Sequence, residues 1–201
     1  MSKSRRPAAV LFDRDGTLIH DVPYNRDPSL VRPMPGAQAA LRRLRDAGVL
    51  VGVVTNQSGV ARGLISPDQL HQVNERVEEL LGPFDAWAIC VHDDMDACSC
   101  RKPRPGLIIR AAAIMDISPL DCVMVGDIGS DMKAARAAGA RAIMVPTPAT
   151  RPSEFAEADE LAASLPEAVQ RIMEMEPVDT LNHLIAGGAL HPAQIASWSR
   201  W

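Results

Sequence analysis

Five short apolar runs, each set between stretches of helical periodicity, constrain this chain more than any other feature. Ala8 to Phe12, Val49 to Val54, Ala86 to Val91, Cys122 to Val125 and Ala142 to Val145 are continuous runs, not alternating ones. A strand that is apolar on both sides must be covered on both sides, which is the condition of a parallel sheet between two layers of helices. The intervening segments supply those helices. Pro35 to Gly48 sets Ala37, Ala40, Leu41 and Leu44 at helical spacing, with Gly48 placed to end it. Ser66-Pro67-Asp68-Gln69 is a helix start, and Leu70, Val73, Val77, Leu80 and Leu81 follow on one face until Gly82-Pro83. Pro105 to Met115 and Ser130 to Ala138 complete the pattern. The expected fold is α/β: a three-layer, Rossmann-like parallel sheet with helices on both faces.

Composition agrees with one domain. The 201 residues are 47% hydrophobic and only 3% aromatic, so the core is built from Ala, Val, Leu, Ile and Met. A net charge of −4 makes no electrostatic case for nucleic acid or an anionic membrane, and no basic stripe points to a polynucleotide. No apolar stretch approaches the ~20 residues of a membrane span. The first residues lack a signal-type apolar region, so a cytoplasmic protein is expected. Residues 146–153 form a loop-like boundary, and Glu154 to Met175 reads as helical with a break near Pro166. The chain divides into a domain over 1–175 and a C-terminal extension over 176–201 of unassigned role.

In an open parallel sheet, ligands bind beyond the carboxyl ends of the strands. This chain places its unusual polar residues there. Asp13-Arg14-Asp15-Gly16-Thr17 follows the first run, and two carboxylates at i and i+2 of an extended segment project to one side. Thr55, with Asn56 and Ser58, follows the second and could cradle a phosphate. Lys102 precedes a helix, and Gly126-Asp127-Ile128-Gly129-Ser130-Asp131 follows the fourth run. Each also has a plain structural reading, as a turn, a helix cap or a surface lysine. Their recurrence at successive strand ends favours a site.

Cys90, His92, Cys98 and Cys100 fall within eleven residues. Three thiols and an imidazole across a short loop make a Cys₃His set suited to structural zinc, which would fix the loop delivering Arg101 and Lys102. Free thiols beside a surface histidine are the alternative. Cys122, in an apolar run, reads as core.

Together, Asp13-x-Asp15-Gly16-Thr17, Thr55, Lys102 and Gly126-Asp127-x-x-x-Asp131 resemble the four ordered motifs of the haloacid dehalogenase-like phosphatases, over residues 8 to about 147. The resemblance implies Asp13 as nucleophile, Asp15 as general acid and base, and Thr55 and Lys102 as holders of the phosphoryl oxygens. It implies Mg²⁺ bound by Asp13, Asp127 and the backbone carbonyl of Asp15, with Asp131 orienting water or Lys102. A zinc loop leading into Cys100-Arg101-Lys102-Pro103 is similar to a subgroup without a large cap domain, which holds heptose bisphosphate phosphatases and histidinol-phosphatases. That likeness implies a small phosphorylated sugar as substrate, contacted by Asp21, Tyr24, Asn56, Gln57, Ser58 and Arg101. A monomer or weak dimer is expected. Two positions depart from the subgroup: Val91 stands where Pro is usual, and Ile128 where Lys is frequent. Histidinol phosphate or another sugar phosphate as substrate, and a non-catalytic zinc-containing binding protein, stay open at this point.

Overall fold

The computed structural model describes residues 6–176. Its sheet has five parallel strands: β1 (Ala9–Phe12), β2 (Leu50–Asn56), β3 (Ala86–Cys90), β4 (Cys122–Gly126) and β5 (Arg141–Met144), in the spatial order β3-β2-β1-β4-β5. The helices are α1 (Ala37–Asp46), α2 (Pro67–Leu81), α3 (Gly106–Ile114), α4 (Gly129–Ala138) and α5 (Leu165–Met173). The chain steps outward from β1 through β2 to β3, then returns across the sheet to β4 on the other flank of β1. The order therefore reverses between β1 and β4, and a crevice opens there at the carboxyl ends.

The continuous apolar runs have their explanation in the two cores. Successive residues of a strand point to opposite faces, and here both faces are dry. Val10 and Phe12 face a layer formed by Leu41 and Leu44 of α1, Val73 and Val77 of α2, and Val169 and Ile172 of α5. Ala9 and Leu11 face the other layer, with Leu107, Ile108 and Ala111 of α3 and Met132 and Ala135 of α4. Phe12 lies opposite Val53 on one side and Val125 on the other, so the last residue before Asp13 is locked in register with both neighbours.

Helix ends lie within about two residues of those expected, the ordinary uncertainty of helix termini. Residues 154–175 differ more. A 3₁₀ turn covers Pro152–Glu157, Leu161 makes an isolated bridge with Met144, and only from Leu165 does α5 begin. Pro166 does not break this helix. It sits in the first turn, where its missing N–H has no helical partner to lose, and the Ser164 side chain accepts a hydrogen bond from Glu167 N. From residue 177 onward the expected C-terminal extension lies outside the described residues. Among the described residues, no helix is long and apolar enough to cross a membrane.

Candidate active site

Asp13 leaves the central strand directly into the crevice, its N–H bonded to Val125 O of β4 at 2.9 Å. Asp127 leaves β4 beside it. The turn between them allows little change of residue. Gly16 has φ +81°, and a β-carbon there would fall on the carboxylate of Asp127. The third residue after Asp13 is therefore glycine for two reasons, a left-handed backbone and a close approach. Thr17 Oγ1 lies 3.4 Å from Asp127 Oδ1, and Thr150 Oγ1 donates to Asp127 O at 2.7 Å.

Lys102 enters this crevice from the far side of the sheet. Its Nζ lies 2.6 Å from Asp13 Oδ1 and 2.7 Å from Asp131 Oδ1, and donates to Val54 O at 2.9 Å. All three charged side chains are nearly inaccessible, Asp131 wholly so. Asp131 also accepts from Ile128 N at 3.3 Å, which pins its second oxygen. Asn56 holds Lys102 by its backbone: the Asn56 amide donates to Lys102 O and accepts from Lys102 N, both at 3.1 Å.

Asp15 stands slightly further out. Gln57 Nε2 donates to Asp15 Oδ2 at 2.7 Å and to Thr55 Oγ1 at 3.0 Å, joining the ends of β1 and β2. In front of Asp15 lies a pocket of about 170 Å³ lined in part by Asp21, Tyr24, Asn56, Gln57 and Ser58. Five of the six residues expected to touch substrate are thus brought to one place. Burial and the nearby Asp15 raise the Asp21 carboxyl above its ordinary value, against Arg14. Arg101 is not in that lining. Its Nε bonds Asp94 Oδ1 at 2.7 Å, and Asp94 in turn lies 3.7 Å from Arg62, whose Nη1 donates to Tyr24 Oη at 2.8 Å. A polar chain therefore runs from Arg101 to the pocket rim.

Cys90 ends β3, and the loop after it folds back on itself. Cys90 Sγ lies 3.8 Å from Cys98 Sγ and 3.3 Å from Cys100 Sγ, while His92 Nδ1 is 3.6 Å from Cys90 Sγ and 3.3 Å from Cys100 Sγ. Bond lengths of ~2.3 Å for sulfur and ~2.0 Å for nitrogen give a zinc tetrahedron edges of about 3.8 and 3.5 Å. The four donors fit that ion. Cys98→Ser is expected to lose bound zinc and to melt several degrees lower, read by metal analysis and thermal denaturation.

Comparison with known proteins gives the arrangement its relatives. Residues 10–86 match a family model described as haloacid dehalogenase-like hydrolase, and residues 99–169 match a HAD-hydrolase-like model. A D-glycero-beta-D-manno-heptose-1,7-bisphosphate 7-phosphatase of Rhodopseudomonas palustris is 38% identical over 149 residues, 69% of this chain and 82% of that protein. The chain belongs to the haloacid dehalogenase-like phosphatases. A D,D-heptose 1,7-bisphosphate phosphatase from B. bronchiseptica, solved with magnesium and phosphate, superposes with a TM-score of 0.73 at 27% identity, covering 83% of this chain and 98% of that one. A putative HAD-like phosphatase from Mesorhizobium loti superposes with a TM-score of 0.69 at 30% identity, covering 85% and 88%.

For a haloacid dehalogenase-like phosphatase the charge balance of the crevice is informative. Asp13, Asp127 and Asp131 each offer a carboxylate oxygen, and these lie within 4.8 Å of one another, with Lys102 as their ammonium partner. Burial pushes Asp13 well above the usual carboxylate range, and Asp131, Asp127 and Asp15 add to this against Lys102. Burial, then Asp131, lifts Asp127 to about 7. An all-oxygen, acid-rich set of this kind fits a hard divalent cation such as Mg²⁺.

Asp127 makes that fit measurable. With its folded value raised from 3.8 to about 7, the folded chain binds more protons than the unfolded one between those pH values. Without a divalent ion, the contribution of Asp127 to stability therefore falls as pH rises from about 4 to 7. Magnesium is expected to raise the melting temperature more at pH 8 than at pH 5, relative to a chelator control.

Several positioning groups escape a reading by motif. Arg14 and Asn74 hold the Asp15 carboxylate, and Thr150 holds the backbone carbonyl of Asp127; Thr17, which the first motif does contain, reaches the Asp127 carboxylate. Only Asn74 left a trace in the pattern: it is a polar residue on the apolar stripe of α2, four residues after Leu70 and three before Val77. Asn56 and Gln57, expected as substrate contacts, also hold Lys102, Asp15 and Thr55, a use that spacing alone does not disclose.

Proposed function

We propose that this protein removes the 7-phosphate of D-glycero-D-manno-heptose 1,7-bisphosphate by magnesium-dependent hydrolysis through an aspartyl-phosphate. The observation that carries the reaction type is the buried Lys102 ammonium, 2.6 Å from an Asp13 carboxylate at the end of the central strand. It supports a carboxylate that keeps a cationic partner despite its burial and is aimed at an incoming phosphoryl group. The names of the relatives support the substrate, as does a small polar pocket beside Asp15.

In this reading, Asp13 attacks phosphorus while the bond to the sugar oxygen breaks, and Asp15 gives that oxygen its proton. Asp15 then takes a proton from water as the water attacks phosphorus, and the phosphate leaves Asp13. Thr55 and Lys102 hold the transferred oxygens as charge builds on them. Asp13, Asp127 and the backbone carbonyl of Asp15 would hold Mg²⁺, which supplies charge neutralisation and polarises a phosphoryl oxygen. Asp131 keeps Lys102 in line. Asp21, Tyr24 and Ser58 meet the sugar, and Arg101 grips the phosphate that stays, a task suited to a planar guanidinium. Zinc on Cys90, His92, Cys98 and Cys100 keeps the loop in place. Three thiol donors support a reducing compartment, the cytoplasm.

Phosphate release from heptose 1,7-bisphosphate, histidinol phosphate and 4-nitrophenyl phosphate, each with and without Mg²⁺, tests the proposal. Magnesium-dependent turnover of the heptose far above the other two is expected. Preference for histidinol phosphate would overturn the substrate, and Ile128, where a lysine is frequent in the subgroup, would be the first residue to revert.

A further inference from the structure

Arg14 lies between the two carboxylates of the first motif, and of the largest fully buried side chains among the described residues it is the sole charged one. A guanidinium loses much hydration on such burial and must be fully partnered. Its partners are specific. Nε lies 3.3 and 3.2 Å from the two oxygens of Asp15, and Nη2 lies 3.1 and 2.9 Å from the same two. Nη1 turns the other way and donates to Asn74 Oδ1 at 2.6 Å. Asn74 is itself buried, on the face of α2 that packs against the sheet.

We propose that Arg14 and Asn74 are positioning residues that fix the carboxylate of Asp15 for proton transfer to the leaving oxygen. The proposal rests on the reading of Asp15 as the acid and base group. The geometry has a direction: α2 holds Asn74, Asn74 orients the guanidinium, and the guanidinium holds both oxygens of Asp15 in one plane. Gln57 Nε2 holds the same carboxylate from the β2 side at 2.7 Å. Asp15 is left 22% exposed, open toward the pocket. A long salt bridge at the surface would contribute little, but a planar fork anchored at its far end removes rotational freedom from an acid whose transfer distance decides its efficiency.

The consequence is selective. A poor leaving group such as a sugar alkoxide needs the proton as the P–O bond breaks. A 4-nitrophenolate leaves without it. The test compares the single-turnover rate of leaving-group release for heptose 1,7-bisphosphate with that for 4-nitrophenyl phosphate, in magnesium-loaded protein. Asn74→Leu and Arg14→Lys are expected to slow the sugar phosphate about tenfold or more while changing the aryl phosphate less than about threefold. Asn74→Asp, which keeps an oxygen for Nη1, is expected to restore most of the loss. Equal slowing of both substrates, or no slowing of either, would overturn the proposal. Asp15→Asn is the control for the underlying reading. If it shows the alkyl-over-aryl split and the Arg14 and Asn74 variants do not, positioning fails and the reading stands; if Asp15→Asn shows no split, the reading itself fails. Should Asn74→Leu fold poorly, Arg14→Lys alone decides.

Discussion

Asp13→Asn is expected to reduce phosphate release on the order of 10³-fold or more, with no phosphoenzyme detectable by acid quench. The amide keeps the shape of the carboxylate and removes its nucleophilic charge. The fold should not suffer. Burial already holds Asp13 well above the usual carboxylate range, so the ionised group opposes the folded state at neutral pH. Lys102 retains Asp131 at 2.7 Å after the change. An unchanged or raised melting temperature beside abolished turnover is therefore the expected pair of results. Variant activity within tenfold of the parent would remove the covalent route.

Lys102→Met is expected to strike both stability and catalysis. It takes the ammonium from two buried carboxylates, Asp13 and Asp131, and leaves each without its cation. Breaking a buried pair by deleting one partner costs about 3–5 kcal/mol. Burial pulls the Lys102 ammonium down, but Asp13 and Asp131 outweigh it and hold it above its ordinary value. A raised lysine contributes stability fully below its unfolded value near ~10.4 and loses it only as pH rises through the folded one. The parent chain thus keeps this contribution across the neutral range. In the variant Asp13, which burial already raises, is relieved by protonation, so the stability gap should narrow from pH 8 to pH 5. Magnesium should narrow it further at pH 8. Chemical denaturation at the two pH values, with and without Mg²⁺, reads all of this; a gap independent of pH would show that Lys102 acts by packing. Turnover should fall on the order of 10²–10³-fold, the scale of losing a preorganised charge at a transition state.

The layered fold was legible because its cause is local. Continuous apolar runs mean strands buried on both faces, and Ser66-Pro67-Asp68-Gln69 forms the capping box its spelling predicts. The strand-end residues were legible for the same topological reason, since Asp13, Thr55 and Asp127 need only their strands to reach the crevice. Lys102 needed the motif as well, because nothing local shows that it crosses from beyond β3 to β1. Residues 154–164 misread as helix because Phe155, Leu161 and Ala162 are apolar at spacings a helix would also use. There the 3₁₀ turn and the bridge to Met144 are set by tertiary pairing. Arg14 was illegible in a different way. Lying between two acids, it looks like a solvated charge, and only Asn74, sixty residues away, reveals that it is buried.

The two family-model matches end at residue 86 and resume at residue 99. That interval contains β3 beyond its first residue and three of the four candidate zinc donors, together with Asp94, which joins Arg62 to Arg101. Asp13, Thr55, Lys102 and Asp127 all lie in the matched segments. The pocket lining, with Asp21, Tyr24, Asn56, Gln57 and Ser58, lies in the first matched segment, so the interval reaches it only through the pairing of Asp94 with Arg62 and Arg101. A graft of residues 87–98 from a relative that keeps the zinc donors would therefore alter only how Arg62 and Arg101 are tethered, and leave both the pocket lining and the reacting groups on their own strands.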